Sequence, residues 1–335
     1  MTSGPIRAWI PALALFLLAP ITGELLSGSS PPVEFFTFSW IFIVGLYGSG
    51  AVIIRELAVR WDKGWLSILV MGAAYGIIEE GLEVKSFFDP NWVDIGILGS
   101  YGRWAGVNWV WSLELTIFHC VFSIAIPILL VTLLFHSHSE RRWVKDRTLY
   151  LLFLLLGFNV AIGFLFLTPY RPDPAAYIMA IGLVISLFMA ARALPGSLFP
   201  PSGRAPARPR RFYAVGLLFA IGLFLISWVV PWTATPAIIT FLLLALLGSS
   251  CLYYVLRISG NGGSWGPRHR LALAAGALTF FMALSFIQEL SGPDNMIGMS
   301  LVGLGYALFI LCLWARLSRP SDPRAPPGFR APHPF

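Results

Sequence analysis

Apolar runs about 20 residues long recur along the whole chain, and that length, enough to cross a bilayer core, constrains the fold more than any other feature. The runs occupy 9–27, 36–54, 65–84, 109–135, 149–168, 176–194, 213–231, 236–256, 271–290 and 297–315. Hydrophobic residues make up 57% of the chain and charged residues only 12%, about half the charged share of a soluble domain. The expected fold is an all-α polytopic transmembrane bundle of about ten spans. The lipid bilayer is its first partner.

Basic residues test the count. With the N-terminus and Arg7 in the cytoplasm, the inside segments hold Arg55, Arg60 and Lys63; then Arg141, Arg142, Lys145 and Arg147; then Arg204, Arg208, Arg210 and Arg211; then Arg257, Arg268 and Arg270. The outside loops hold Lys85, Arg103 and Arg171 as their only basic residues. This alternation follows the positive-inside rule, puts both termini in the cytoplasm and suits a plasma (cytoplasmic) membrane protein. The net charge of +7 is then a matter of topology, and no nucleic-acid partner is expected. The first run, with a Pro at each end and the poor cleavage sequence LLSGSS after it, reads as a span rather than a leader. Cys120, Cys251 and Cys312 all fall inside spans, where isolated thiols act as small core residues.

The stretch 195–211, PGSLFPPSGRAPARPRR, is rich in Pro and Arg and reads as a mobile cytoplasmic linker. It divides a six-span half, 1–194, from a four-span half, 212–316. The Pro-rich tail 317–335 reads as disordered. The halves differ in chemistry. The last four spans are mostly apolar, with Gln288 and Glu289 near one outer end. The first five carry Glu24, Glu79, Glu80, Glu83, Glu114, His119 and Asn159.

Carboxylates in hydrocarbon are costly, so the Glu79–Glu80 pair inside WLSILVMGAAYGIIEEGLEV marks a functional site. Gly72, Gly76 and Glu80 recur every four residues and share one face of their helix. Small residues at that spacing let another helix approach closely. Glu79, one position earlier, points about 100° away and is expected to serve a different partner. Ser112, Thr116, His119 and Ser123 form a polar stripe on the next span. Glu24, Glu80 and His119 each lie roughly 5–10 Å outward of their span centres, with Asn159 near the midplane. Four helices thus point to one outward-opening cavity. Arg55 and Glu56 read as a snorkelling pair at an inner helix end. The outside loop 86–108, with Phe87, Phe88, Trp92, Tyr101 and Trp104, reads as an interfacial aromatic belt or as a lid over that cavity.

EEGLEVKSFF, followed about forty residues later by LELTIFHC, resembles the CAAX-protease and bacteriocin-processing family of intramembrane endopeptidases. That family carries EExxxR on one membrane helix and FxxxH on a later one. The resemblance implies peptide hydrolysis without metal, with Glu79 and Glu80 in the place of its paired glutamates and His119 in the place of its histidine. Lys85 stands one position late for the basic residue, Leu115 replaces the Phe, and Asn159 is the only counterpart of a third motif. An uncharacterised polytopic family is the other assignment.

The expected site is therefore Glu79, Glu80 and His119, supported by Glu24, Glu83, Lys85, Thr116 and Asn159, with no cofactor and no metal. The leading function is an intramembrane hydrolase acting on a membrane-embedded peptide. A secondary transporter, proton-coupled through the same carboxylates and carrying a small molecule, and a non-catalytic scaffold are the alternatives.

Overall fold

The computed structural model describes residues 9–37, 39–196, 198–262 and 265–319. Most of the Pro-rich tail, from residue 320 onward, lies outside them, as does Arg7. Among the described residues, nine helices are long and apolar enough to cross a membrane, and a shorter apolar helix precedes them. In chain order they are α1 (Trp9–Leu25), α2 (Trp40–Arg60), α3 (Trp65–Glu83), α4 (Trp109–Leu134), α5 (Asp146–Leu167), α6 (Pro174–Ala193), α7 (Pro209–Trp232), α8 (Ala237–Ile258), α9 (Pro267–Ser291) and α10 (Met299–Ser318). The chain is an all-α polytopic bundle embedded in lipid.

Burial sorts the ten. The most apolar stretches of α2, α3 and α4 are 78%, 61% and 72% buried, whereas those of α5, α6 and α8 are each 17% buried. The first three form the centre and the others present side chains such as Phe158, Ile178, Ile185, Leu242 and Leu246 outward. Such exposed apolar surface is what hydrocarbon solvates, so the outer helices need no protein cover.

Glycines set the closest approaches. A Cβ at Gly72 would lie 3.2 Å from the Cys120 Cα, and one at Gly76 would lie 3.1 Å from the Thr116 Cα. The small-residue face of α3 is thus pressed against α4. In the second half Gly216 of α7 meets the backbone of α9 at Leu273, and Gly276 of α9 meets α7 at Tyr213. That reciprocal crossing lets two apolar helices touch main chain to main chain.

The second span departs from expectation. The apolar run 36–54 predicts a helix ending before Arg55, but α2 continues to Arg60. Arg55 and Glu56 are 2% and 0% exposed and do not snorkel. Arg55 Nη1 lies 2.5 Å from Glu56 Oε1, its Nη2 donates to the Ser139 carbonyl at 2.7 Å, and its guanidinium lies 3.5 Å above the Trp143 ring. The Trp143 amide donates to Glu56 Oε1 at 2.9 Å, and Arg60 Nε lies 3.5 Å from Glu56 Oε2. A hydropathy window counts these charges as water-facing, but paired and hydrogen-bonded inside the bundle they tolerate burial.

The two halves are not separate bodies. α8 packs on the first half of α4, and α9 packs on its last turns. Phe118 and Phe122 of α4 lie edge-on to Phe281 of α9, at 5.8 and 4.8 Å between centroids. The Pro/Arg stretch is tied down by the turn after α8: Ala207 N donates to the Ile258 carbonyl at 2.9 Å, and Asn261 Nδ2 to the Pro200 carbonyl at 2.9 Å.

The segment between α3 and α4 is an ordered cap. It contains a two-stranded antiparallel pair, β1 (Arg103–Trp104) with β2 (Val107–Asn108). Arg103 donates to the carbonyls of Phe88 at 2.7 Å and Gly99 at 3.0 Å. Asn108 caps α4 by accepting from Trp111 N at 2.9 Å, and the Tyr101 hydroxyl reaches the Thr235 carbonyl at 2.9 Å. These bonds tie the 86–108 segment to itself, to the start of α4 and to the turn before α8.

Candidate functional site

Five helices contain a π-helical turn: Ile21–Leu25 in α1, Ile77–Glu83 in α3, His119–Ala125 in α4, Gly163–Leu167 in α5 and Leu225–Val229 in α7. Each contributes to the wall of one cavity of about 720 Å³, through Glu24, Glu79 with Glu80 and Glu83, His119, Gly163 with Phe166, and Trp228 respectively. Such turns are rare and cluster at functional sites. Their local effect is plain at α3. A π turn holds more residues than an α turn, so successive side chains diverge less. Glu79 and Glu80 therefore both face His119, against the expectation that they serve different partners.

His119, 2% exposed, is the hub. Its Nε2 lies 3.1 Å from Glu80 Oε1, and its Nδ1 lies 3.1 Å from Glu79 Oε2 and 2.9 Å from Ser123 Oγ. The Tyr47 hydroxyl sits between Glu79 and Glu24 with short contacts to both. Ser30 Oγ donates to Glu24 Oε2 at 2.6 Å. The second oxygen of Glu80 is held by Ser86 Oγ, which also accepts from Trp111 Nε1 at 3.0 Å. Two hydrogen-bonded chains, Ser30–Glu24–Tyr47–Glu79 and His119–Glu80–Ser86–Trp111, thus meet at the 3.1 Å ion-pair contact between Glu79 Oε2 and His119 Nδ1, where Glu79 Oε2 has no hydrogen-bond partner. Gly23 makes room for it, since a Cβ there would lie 2.7 Å from the Tyr47 ring and 2.6 Å from Ser123 Oγ.

Glu83 and Glu114 complete the polar wall. Both are 5% exposed, and each has one carboxylate oxygen without a hydrogen-bond partner. Asp94 of the cap lies above them, its carboxyl raised by burial and then by the charges of Glu24 and Glu80. Apolar lining comes from both halves: Ile43, Leu46, Phe118 and Phe166 among others from the first, and Ala220, Leu223, Phe224 and Trp228 of α7 with Phe281 and Leu284 of α9 from the second, which also adds Gln288. Sequence reasoning gave the whole site to the first half. The second half supplies part of the apolar lining, which single spans without polar residues do not advertise.

Three supporting residues lie elsewhere. Lys85 turns away from the cavity. Its φ of +66° reverses the chain after α3, and its Nζ donates to the Phe164 and Thr168 carbonyls at 2.7 and 3.1 Å, capping α5. Thr116 faces a separate apolar groove shared with Cys120 and Cys251. Asn159 packs on Gly45, where a Cβ would lie 2.8 Å from Asn159 Nδ2, and that nitrogen donates to the Leu155 carbonyl at 2.8 Å. Helical spacing put Thr116 on the His119 stripe, and both do pack on Gly76 of α3, but only His119 lines the site cavity. Of the cap aromatics, Trp92 lines the cavity, whereas Trp104 is 73% exposed beside Trp109. Tyr47 was missed. Its only signal was a tyrosine set among small residues in GLYGSG.

Glu79, Glu80 and His119 each offer a ligand atom within 4.8 Å of the others, a spacing from which a metal ion can be held. The arrangement can also position water between a carboxylate and an imidazole inside a largely apolar chamber.

The chain belongs to an uncharacterised membrane protein family, whose model matches residues 13–259. That span holds every residue of the acidic wall. No curated protein and no solved structure matches the chain. The family match lends no support to the endopeptidase resemblance of the two glutamate and histidine segments.

Proposed function

We propose that the protein is a membrane-embedded hydrolase, working in the plasma membrane, whose centre is Glu79–His119–Glu80. The carrying observation is the imidazole of His119 held at 3.1 Å from each of two carboxylates on the wall of a chamber with a largely apolar lining. Glu80 is placed to take a proton from a water beside His119 Nε2. The carbonyl carbon gains that water's oxygen, the bond to the leaving group breaks, and His119 returns a proton to the departing atom. The apolar lining suits a substrate with a hydrophobic segment, and the EEGLEV and LELTIFHC resemblance supports a peptide bond as the target. Towards the end of the bundle that holds Arg55, buried Met71, Tyr75, Ile124 and Ile128 fill the space below the site. A one-sided chamber with a closed floor supports an enzyme over a carrier.

One observation favours a second reading. The row from Glu24 through Tyr47, Glu79 and His119 to Glu80 resembles the Glu/His chains that pass protons in transporters. Two assays on protein in liposomes separate the readings. In the first, membrane-spanning peptides are offered in H₂¹⁸O and products are read by mass spectrometry. The hydrolase reading expects ¹⁸O-labelled products from wild-type and none from Glu80→Gln or His119→Ala. No wild-type-dependent product, together with proton entry reported by a trapped pH dye, would move the assignment to the carrier.

A further inference from the structure

The cavity collects six acidic side chains, Glu24, Glu79, Glu80, Glu83, Asp94 and Glu114, and among its described lining residues there is no Lys or Arg. Lys85, the nearest basic residue along the chain, is spent on the end of α5. Buried charge without a partner is expensive, and this wall has one imidazole to offset it. A cation bound from outside the chain would supply the missing charge.

We infer that Glu79, Glu80 and His119 form a divalent metal site, with a borderline ion such as Zn²⁺ as the fitting class. Three ligand atoms lie within 4.8 Å of one another. A tetrahedral ion with bonds of about 2.0–2.2 Å spaces its ligands about 3.4 Å apart, close to the 3.1 Å between His119 Nε2 and Glu80 Oε1. Two carboxylates and one imidazole leave a fourth position open to the chamber, the pattern of catalytic rather than structural zinc. The supporting shell is also in place. Ser123 Oγ holds the other ring nitrogen at 2.9 Å, Tyr47 holds Glu79, and Ser86 holds Glu80. Such partners fix the tautomer and aim the ligands.

A second observation, outside the three ligands, points the same way. Glu83 and Glu114 are each 95% buried on that wall and each keeps a carboxylate oxygen with no hydrogen-bond partner. Both line the same chamber as the three ligands. With the ion in place Glu79 and Glu80 serve as ligands, water on the open position is polarised, and Glu83 or Glu114 stands ready to accept its proton. This rests on the hydrolase reading and reassigns its roles: Glu80 and His119 would hold the ion rather than carry protons, the water it polarises would be the nucleophile for acyl transfer, and the expectation of a metal-free centre is revised.

The test does not need a substrate. The full chain, purified in a neutral detergent without a polyhistidine tag, is stripped with chelator, equilibrated with Zn²⁺ and dialysed, and its metal is counted by mass spectrometry. Wild-type should retain about one ion per chain, the stoichiometry of a single site. Glu80→Gln and His119→Ala should fall to the level of a detergent blank. Ser123→Ala should bind about tenfold more weakly, and Glu289→Gln, bonded to Ser300 N at 2.6 Å away from the site, should match wild-type. Should the variants misfold, wild-type alone decides: Zn²⁺ but not Mg²⁺ should raise its unfolding temperature. Wild-type at blank level with no thermal shift, or equal retention in folded Glu80→Gln and His119→Ala, overturns the site. Peptide hydrolysis that survives chelation would remove the metal and leave the hydrolase standing. Metal retention without hydrolysis would do the reverse.

Discussion

Helix α2 carries one member of each of two polar clusters inside the bundle, Tyr47 of the Glu/His wall and, eight residues on, Arg55. That separation is about 12 Å along a helix, yet the clusters are built on opposite principles. Around Arg55, charges balance: Arg55 and Arg60 face Glu56 and Asp146, backbone carbonyls and Trp143 make further contacts, and Glu56 Oε2 lies 3.5 Å from Arg60 Nε without a hydrogen bond. Around Tyr47, acids outnumber the single imidazole, three buried carboxylate oxygens, on Glu79, Glu83 and Glu114, have no hydrogen-bond partner, and a chamber of about 720 Å³ stands open beside them. Burial is similar in both. Each cluster keeps buried polar atoms with no hydrogen-bond partner, so what separates a strut from a site here is charge balance and the open chamber.

The sharpest way to break that contrast is at the outer cluster. Glu80→Gln or His119→Ala should lower hydrolysis by at least about 10²-fold, the scale of losing a positioned acid or base, while the protein still inserts and elutes as wild-type. Full activity in folded Glu80→Gln would reduce the outer cluster to another strut.

Next comes the inner cluster, where the loss should fall on stability. Arg55→Ala leaves Glu56 buried without its partner and should cost about 3–5 kcal/mol, read by denaturant unfolding in detergent. Arg55→Met with Glu56→Gln should cost less than Arg55→Ala, because no lone charge remains. The rate per folded molecule should be unchanged in both. A catalytic defect with normal stability would make the inner cluster part of the site.

The cap gives a smaller effect. Trp92→Ala should speed carbodiimide labelling of Glu80 several-fold, because Trp92 stands in the cavity wall. Trp104→Ala, on a side chain that is 73% exposed, should leave that rate as it is. Equal acceleration by both would mean the whole segment gates the chamber. The smallest effect belongs to Asp146→Asn. Its side chain is 83% exposed in its pair with Arg60, so solvent screens the pair and its loss should leave the unfolding midpoint nearly where it was, with no change at His119.

Much of this was legible before the fold. Ten apolar runs predicted ten helices because hydrocarbon forces the backbone to satisfy itself within each segment. Gly72 and Gly76 announced the α3–α4 contact because only small residues permit it. The carboxylates and His119 stood out because hydrocarbon makes them costly. Other features were not legible. Arg55 and Glu56 looked like a helix end because a hydropathy window prices charges one at a time and cannot see a partner 84 residues away in Ser139.

The sequence by itself determined which segments enter the membrane and which polar residues enter with them, since both follow from local transfer cost and local periodicity. The tertiary structure decided who meets whom. The π turn of α3, invisible to a 3.6-residue count, brings Glu79 as well as Glu80 onto His119, while Thr116 borders a separate groove. Lys85 and Asn159 are claimed by α5 and α2 for packing. Apolar helices of the second half, mute as sequence, close the chamber. Those outcomes depend on contacts between residues far apart along the chain, and periodicity within one segment carries no information about them.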